Sequence, residues 1–246
     1  MGATSQPMLF DGPTLRADWP WGDLRPGAYG LIMADPPWRF ELYSAKGESK
    51  AAQAHYATMS LDVIAALTVA ELSAPDSVLW LWATAPMLHR QMAIAEAWGF
   101  EIATTGAWVK TTRRGKIAFG TGYVLRNAHE PFVIATRGQP RCARTVRSVV
   151  MGEAREHSRK PDAAFAAAEH LLPGVARVEL FSRETRPGWD SWGNEAGKFD
   201  GGRAGAVSAP EAPRREAPAP GHAATLTIAA PGQARLQGGQ QKGQEK

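Results

Sequence analysis

Short apolar segments alternate with segments of helical character along most of the chain. Each apolar run is bounded by Gly, Pro or charged residues, which is typical of buried β-strands. The predicted strands span residues 30–34, 77–84, 100–110, 131–136, 148–150 and 177–181.

Three segments between these runs carry helix signals. Ser60 is a suitable N-cap for a short helix. Pro86 marks the start of a second helix, which Gly99 ends, and a third helix is predicted over residues 162–172. Strands that alternate with helices in this way predict an α/β fold, in which a mostly parallel sheet is covered by helices on both faces.

The two ends of the chain differ from its middle. Residues 1–17 are predicted to be an irregular lead-in, and residues 18–199 a single domain. Residues 201–246 contain no Phe, Trp or Tyr and are dominated by Gly, Ala, Pro and Gln. Such a segment cannot bury enough apolar surface to offset the entropy of ordering it, so residues 200–246 are predicted to form a disordered tail.

Composition narrows the class of protein. The chain has 246 residues, 44% of them hydrophobic, which is enough for one substantial domain. Cys142 is the only cysteine, which excludes an intramolecular disulfide and a cysteine-based zinc cluster. Residues 1–10 lack the features of a signal peptide, and no apolar run reaches the about 20 residues that cross a bilayer. These features predict a cytoplasmic protein with no bound metal and no membrane segment.

Positive charge is concentrated in the second half of the predicted domain. The formal net charge of the whole chain is only +4. Residues 110–160, however, contain twelve Lys or Arg and three Glu, a net charge of +9. Charge concentrated in this way attracts phosphate groups and favours nucleic acid as a partner, although a solvated basic surface would show the same pattern.

The strand predicted over residues 30–34 ends at Asp35-Pro36-Pro37-Trp38. In open α/β sheets, ligands bind beyond the carboxyl ends of the strands, so a site is expected at this corner. The two prolines restrict the backbone and donate no N–H. The corner therefore presents two hydrogen-bond acceptors, the Asp35 carboxylate and the Pro36 carbonyl oxygen, followed by a large aromatic ring. A tight loop without chemistry is the simpler alternative.

Rigid acceptors beside an aromatic ring suit methylation of an exocyclic amine such as N6 of adenine. Two acceptors that hold both N–H bonds would favour a nitrogen whose lone pair points at the incoming methyl group. A purine stacked on Trp38 would gain roughly 1–3 kcal/mol, and alignment of the reactants can lower a barrier by about 7–11 kcal/mol. Asp35, Pro36, Pro37 and Trp38 are therefore the candidate catalytic residues.

Nine short motifs follow one another along residues 18–197. They are ADPPW (34–38), YATMS (56–60), LWLWAT (79–84), WVKT (108–111), HE (129–130), HSRKPD (157–162), LLPG (171–174), ELFSR (179–183) and GWDSWGNE (188–195). In this order they resemble the motifs of the DPPW-type N6-adenine methyltransferases, the family of the eukaryotic mRNA adenosine methyltransferase catalytic subunit and its bacterial and phage DNA-modifying relatives.

This resemblance implies a Rossmann-like fold and the cofactor S-adenosyl-L-methionine, with the catalytic motif placed before the cofactor-binding strand. It implies that Lys160, with His157 and Ser158 beside it, faces the methionine carboxylate of the cofactor. A helix start at Lys160, or a turn at Asn194, would be the simpler structural role. The further residues implied for the cofactor are Glu179, Phe181, Arg183, Asn194, Glu195, Asp18 and Trp19.

The resemblance also implies a nucleic-acid substrate, and the compact chain resembles the DNA-modifying members more than the eukaryotic RNA enzymes. An enzyme that modifies an amine within a duplex must extrude the base into its pocket. Basic residues of the loop after residue 110 are expected to contact phosphates, and Glu130 to brace the site. The residues predicted to contact the substrate are Tyr56, Lys110, Arg113, Arg114, Lys116 and Glu130.

Three alternatives stay open at this point. The same chemistry on RNA adenosine is the first, and methylation of N4 of cytosine, also an amine on an aromatic ring, is the second. The third is a non-catalytic nucleic-acid-binding paralogue. Inactive members of the family typically lose the Asp-Pro-Pro corner, which this chain keeps at residues 35–37.

Deletion of residues 205–246 tests the domain prediction. Because this segment has little apolar surface to bury, we expect the truncated chain to melt within a few degrees of the full chain. The melting temperature is measured by circular dichroism, and a large drop would show that the segment contributes to the fold.

Overall fold

Seven β-strands form one sheet in the part of the chain that the structure describes. The structure is a computed structural model and describes residues 18–39, 58–122, 124–155 and 159–200. The lead-in, residues 40–57 and the tail from residue 201 lie outside these ranges.

The strands are β1 (Tyr29–Ala34), β2 (Ser73–Trp82), β3 (Glu101–Thr111), β4 (His129–Arg137), β5 (Val149–Glu153), β6 (Arg177–Leu180) and β7 (Asp190–Trp192). The helices are α1 (Leu61–Ala65), α2 (Leu88–Ala97) and α3 (Asp162–Leu171), with short 3₁₀ turns at Val69–Glu71 and Ala85–Met87. The strand order is β5-β3-β4-β2-β1-β6-β7, and β4 alone among these strands runs against its neighbours.

The helix boundaries follow the local signals. The Ser60 hydroxyl accepts a hydrogen bond from the backbone N–H of Val63, so this residue caps α1 as predicted. Gly99 follows α2 in the left-handed region, with φ of 80°, where a residue with a side chain would be strained. Pro86 lies in a 3₁₀ turn, and α2 itself begins at Leu88, two residues later than predicted.

Both faces of the sheet are covered by helices, as predicted. Side chains alternate along β1, so Ile32 and Ala34 pack in the core that includes α1 and α2. Leu31 and Met33 pack on the opposite face, in the core that includes α3. All four of these side chains are fully buried. The arrangement is a Rossmann-like fold with a mostly parallel sheet.

Two features of the sheet were not predicted. β2 begins at Ser73 and continues through Pro75 and Asp76, residue types that are rare in strands. β7 has only three residues, too few to show a periodic pattern. Its Trp192 packs edge-on against Trp21, with ring centroids 4.8 Å apart, so tertiary contacts support this strand.

The reversed strand β4 shapes the functional edge of the sheet. The parallel strands β1, β3 and β6 end at one edge, and β4 begins there because it runs in the opposite direction. In the register of β3 with β4, Trp108 pairs with Glu130. The first residues of β4 therefore lie beside the last residues of the parallel strands. Among the described residues, no helix has both the length and the apolar character needed to cross a bilayer.

Candidate active site

The Asp35-Pro36-Pro37-Trp38 corner is held by backbone hydrogen bonds on both sides. The Asp35 N–H donates to the Leu180 carbonyl of β6 (3.3 Å), which joins the corner to the neighbouring strand. The Pro36 carbonyl accepts from the Trp38 N–H (2.8 Å), and the Pro37 carbonyl accepts from the Met59 N–H (2.9 Å). The corner is therefore fixed by its surroundings as well as by the two proline rings.

Two details of the corner differ from the sequence interpretation. One lone pair of the Pro36 oxygen is already used by Trp38, which leaves a single lone pair for a ligand. Trp38 is only 4% exposed, and its indole N–H donates to the Trp82 carbonyl (3.2 Å). Trp38 therefore offers much less aromatic surface for stacking than the sequence predicted. The rigid acceptor that faces open space is the Asp35 carboxylate.

That carboxylate belongs to a network of four charged side chains. The ammonium group of Lys160 lies 3.0 Å from Oδ2 of Asp35 and also binds Oε1 of Glu130. The other oxygen of Glu130 lies 3.0 Å from Nζ of Lys110. The ammonium also lies 5.0 Å from the centre of the Trp82 ring, within range of a cation–π contact. Lys160 is 6% exposed, so this network is largely shielded from water.

The fold brings these groups together from distant parts of the sequence. Asp35 follows β1, Lys110 is the next-to-last residue of β3, and Glu130 reaches the same edge because β4 is reversed. Lys160 precedes α3 and is positioned by the contact of Pro161 with Gly152 of β5. A Cβ on Gly152 would lie 2.6 Å from the Pro161 ring, so a side chain there would displace the segment that carries the lysine.

The pKa values of the two carboxyl groups in the network are shifted in opposite directions. Burial raises the pKa of Asp35, because Lys160 only partly offsets the lost hydration and Glu130 adds repulsion. Burial would also raise the pKa of Glu130, but Lys160 and Lys110 together outweigh it and lower that pKa. Burial opposes the charge on Lys160, yet the two carboxylates raise its pKa well above the ordinary value. Asp35 is therefore the more basic of the two carboxylates.

The Asp35 side chain opens into a pocket beside the carboxyl ends of β1 and β6. The side chain is 24% exposed, so it remains accessible despite its ion pair. The pocket is open to solvent, and its empty space, which includes part of that solvent, is about 330 Å³. It is lined by Asp35, Arg159, Lys160, Phe165, Glu179, Phe181, Arg183, Glu184, Arg186 and Phe199.

Glu179 provides a second carboxyl group in this pocket, on β6. It is 8% exposed, and burial raises its pKa to about 7. Ser182 lies within hydrogen-bond distance, 2.8 Å from Oε2 of Glu179. Near neutral pH this carboxyl group can therefore either donate or accept a hydrogen bond, which suits a partner that carries hydroxyl groups.

The backbone bends sharply where β6 enters the pocket. Phe181 has φ of 62°, in the left-handed region that a bulky residue rarely adopts. Its ring packs edge-on against Trp192, 5.5 Å away, and the Ser182 N–H donates to the Trp192 carbonyl. A Cβ on Gly193 would lie 2.9 Å from the Ser182 nitrogen, so β7 can approach this bend only with glycine there.

The structure places five of the predicted site residues in the pocket lining: Asp35, Lys160, Glu179, Phe181 and Arg183. Lys160 differs from the sequence interpretation, because its ammonium is directed at two protein carboxylates. A cofactor carboxylate would have to compete with both of them, so the primary partner of this lysine is the protein itself.

The remaining predicted cofactor residues lie around or outside the pocket. Glu195 forms an ion pair with Arg183 (3.2 Å) and so contacts the lining indirectly. Asn194 is exposed in the turn after β7. Asp18 is exposed, and Trp19 donates its indole N–H to the Leu24 carbonyl (2.9 Å). Neither of these last two residues is part of the pocket lining.

The predicted substrate contacts fall into three groups. Lys110 and Glu130 belong to the charge network described above. The other cations are exposed on the segment between β3 and β4, where Arg113 lies 3.2 Å from Glu153. They are Arg113, Arg114 and Lys116. Tyr56, His157 and Ser158 lie outside the described residues, so their roles stay predictions.

Sequence reasoning missed a second group of charged residues in the pocket. Arg186 pairs with Glu184 (3.0 Å) and with Asp162 (2.8 Å), and its guanidinium lies 3.7 Å from the centre of the Phe165 ring. Arg159 also pairs with Glu184. Their position beside predicted residues was the available signal. Arg159 directly precedes Lys160, and Glu184 directly follows Arg183. Within the described ranges, no group of three or more His, Cys, Asp or Glu is arranged to hold a metal ion.

The fold is that of a Rossmann-like methyltransferase, and the charged pocket lies at the carboxyl edge of its sheet. The MT-A70 family model matches residues 29–195, which is more than half of the chain and includes the whole sheet up to β7. The chain therefore belongs to the MT-A70 family.

Three relatives illustrate the range of this family. The chain is 32% identical over 174 residues to the N(6)-adenosine-methyltransferase MT-A70-like protein of Arabidopsis thaliana. It is 29% identical over 180 residues to the human N(6)-adenosine-methyltransferase catalytic subunit METTL3. It is 29% identical over 186 residues to the type II methyltransferase M.MunI of Mycoplasma sp. In these matches 68–69% of this chain is covered.

The relatives differ in how much of their own length is matched. The match covers 24% of the Arabidopsis protein and 28% of METTL3, so the chain spans about a quarter of these proteins. It covers 77% of M.MunI. The resemblance to the plant and animal proteins is thus confined to one domain, whereas that to the bacterial protein extends over most of it.

Replacement of Glu179 tests its raised pKa. Because the pKa is about 7 in the folded chain and about 4.3 in an unfolded one, the folded state binds more protons between these values. We expect the free energy of unfolding to fall by roughly 3 kcal/mol as pH rises from about 4.5 to about 7. Glu179→Gln should remove this part of the pH dependence, measured by denaturant unfolding across the range.

Glu101→Gln is the control for that experiment, since it removes one carboxylate from an exposed strand position. Its pH profile should run parallel to that of the wild type. A constant difference between wild type and Glu179→Gln at every pH would contradict the assignment.

Replacement of Lys160 tests the shared ion pair. Lys160→Met keeps a long side chain but leaves Asp35 and Glu130 without their common cation. We expect a loss of about 3–5 kcal/mol in the free energy of unfolding at neutral pH. Adding Glu130→Gln should recover part of that loss, because one buried charge is then removed. Lys198→Met, which removes a surface lysine paired with Glu195, should change stability by less than about 1 kcal/mol.

Proposed function

We propose that this protein transfers a methyl group from S-adenosyl-L-methionine to N6 of adenine in DNA, with the target base extruded into the pocket beside Asp35. The observation that carries the proposal is the position of this carboxylate. It follows β1 at the carboxyl edge of the sheet, is held by a buried lysine, and still opens into the pocket. Membership of the MT-A70 family supports methyl transfer to adenine.

The residues of the pocket fit the proposed cofactor. S-adenosyl-L-methionine combines a carboxylate, a ribose with two hydroxyl groups and a purine ring, and it supplies a methyl group on a sulfonium. Arg159 and Arg183 would attract the carboxylate of the cofactor. Glu179 offers hydrogen bonds to hydroxyl groups, and Phe181 offers an apolar surface. Lys160 adds positive electrostatic potential to the pocket, although its direct partners are Asp35 and Glu130.

Asp35 would act on the amine in two ways. Its carboxylate accepts a hydrogen bond from one N–H. This bond orients the nitrogen lone pair and excludes other orientations of the amine. Because its pKa is raised, it also holds a donated proton more strongly than an ordinary aspartate does. It can therefore take up the proton that the nitrogen must lose when a methyl group is added. The remaining lone pair of the Pro36 carbonyl is the candidate acceptor for the second N–H.

One observation supports DNA as the substrate, and a second supports a nucleic acid in general. The match to the bacterial type II methyltransferase extends over 77% of that protein, whereas the matches to the plant and animal adenosine methyltransferases cover about a quarter of theirs. The exposed cations Arg113, Arg114 and Lys116 lie on the segment that joins Lys110 to Glu130. In the proposed complex they would bind the phosphates on either side of an extruded base.

One assay tests the proposal directly. The purified chain is incubated with S-adenosylmethionine labelled in the methyl group and, separately, with duplex DNA, single-stranded DNA and RNA. The products are digested to nucleosides and identified by chromatography. We expect N6-methyladenine in DNA. Label in RNA adenosine alone would replace DNA by RNA as the proposed substrate. Label in cytosine would replace adenine by cytosine as the proposed target base. Binding of cofactor and nucleic acid without transfer would favour the non-catalytic alternative.

Asp35→Ala tests the residue that the proposal makes essential. We expect kcat to fall by at least about a hundredfold, because a preorganised hydrogen-bonding group is lost from the reaction centre. The Kd for the cofactor, measured by calorimetry, should change by less than about threefold. Asp62→Ala, at an exposed position on α1, is the matched control and should keep full activity. Activity of Asp35→Ala within tenfold of the wild type would refute the role.

A further inference from the structure

The segment between β3 and β4 forms a protruding hairpin loop that begins and ends at the active site. We define it as residues 112–128, of which residue 123 lies outside the described part. It starts after Lys110 and returns to Glu130, the two residues that join in the charge network. The Lys110 N–H donates to the Ala128 carbonyl (2.9 Å), and the Ala118 N–H donates to the Lys110 carbonyl (2.8 Å). The base of the hairpin loop is thus tied directly to the catalytic edge.

The hairpin loop has a specific, tightly turned backbone. The Gly120 N–H donates to the Asn127 carbonyl (3.0 Å), and the Asn127 N–H donates to the Thr121 carbonyl (3.1 Å). A Cβ on Gly120 would lie 2.2 Å from the Asn127 oxygen, and one on Gly122 would lie 1.9 Å from the Leu125 oxygen. Only glycine fits at these two positions, so the sequence is adapted to this conformation.

Large apolar side chains project from the hairpin loop into solvent. Phe119 is 79% exposed, Val124 87% and Leu125 81%. Several side chains of this size close together are unusual on the surface of a soluble protein and mark a contact surface. They lie at the end of the fold where a substrate would approach, because the hairpin loop grows from the catalytic edge.

Charge identifies the partner of this surface. The hairpin loop contains four cations, Arg113, Arg114, Lys116 and Arg126, and no Asp or Glu. The Arg126 guanidinium lies 5.1 Å from the centre of the Phe119 ring, which leaves most of the ring free for another contact. An aromatic ring amid cations suits a nucleic acid, since bases stack on the ring while phosphates bind the cations.

We propose that Phe119 is a positioning residue that inserts beside the target base pair and stacks on the neighbouring base while adenine is extruded. The inference rests on the proposed function, because it assumes a base that must leave a duplex. Extrusion costs a few kcal/mol in lost pairing and stacking. An apolar wedge between base steps restores part of the stacking, and the cations of the hairpin loop hold the phosphates on either side.

The position of the wedge follows from the connections of the hairpin loop. Lys110 and Glu130, at its two ends, are joined through Lys160 to Asp35. A duplex held by the hairpin loop would therefore have its target adenine on the side of the catalytic carboxylate. Val124 and Leu125 are exposed on the same hairpin loop and would contact the sugar edges of the adjacent nucleotides.

Phe119→Ala tests the inference with paired and unpaired substrates. Measured as kcat/KM, activity on a duplex should fall about tenfold or more, the range expected for loss of one stacking contact. Activity on the same sequence with the target adenine mismatched or single-stranded should fall by less than about threefold, because little energy is needed to free that base. Phe119→Trp should retain activity on the duplex. A duplex with 2-aminopurine at the target should show a smaller rise in fluorescence with Phe119→Ala than with the wild type.

Val149→Ala is the matched control, since Val149 is 50% exposed at the amino end of β5, away from the hairpin loop. It should behave as the wild type on every substrate. Equal losses for Phe119→Ala on paired and unpaired targets, or no loss on the duplex, would overturn the inference. A change in the molecular mass of Phe119→Ala in solution, without a change in its duplex activity, would also overturn the inference. That result would mark the surface as a contact between protein chains.

The two proposals fail in different ways. If the wild type modifies no nucleic acid, the proposed function fails before any variant is compared. If the wild type modifies RNA, the paired and unpaired comparison is made with RNA. If the wild type modifies only unpaired strands, the proposed chemistry stands but the wedge is refuted, since no base then has to be extruded.

Discussion

One buried ammonium group organises the carboxyl edge of the sheet in this protein. Lys160 is shared between Asp35 and Glu130, and without it two carboxyl groups could not approach each other away from water. Lys110 adds positive charge on the Glu130 side, so the negative charge of the pair is held most firmly there. The consequence is that Asp35 remains the more basic and more exposed carboxyl group. The same contacts that stabilise the edge therefore leave one acceptor available for chemistry.

The direction of a single strand makes this arrangement possible. If β4 ran parallel to its neighbours, Glu130 would lie at the opposite edge of the sheet. Reversal of β4 places Glu130 at the edge where β1 ends, and the connection from β3 becomes a hairpin loop at the same edge. The hairpin loop and the charge network are thus produced by one topological feature, which explains why the hairpin loop begins and ends beside members of the network.

The other wall of the pocket depends on strain and close packing. The left-handed turn at Phe181 directs the chain out of β6, and Gly193 allows β7 to pack against it. Glu179, buried beside this turn, has a pKa near neutrality. A strained residue and a carboxyl group with a shifted pKa, both in the pocket, are features that proteins retain where ligands bind. This wall is the part of the pocket suited to the polar groups of a cofactor.

The sequence by itself determined the six longer strands, the helices and the catalytic corner, because these are encoded locally: apolar runs, an N-cap at Ser60 and two consecutive prolines after β1. It also identified most charged residues of the pocket through motifs. Only the tertiary structure decided which partner each one has. Lys160 binds protein carboxylates, Trp38 is buried, and Arg186 joins the pocket, since such pairings depend on strand direction and on contacts between residues far apart in the chain. The three-residue strand β7 is likewise held by tertiary packing, which a local pattern cannot show.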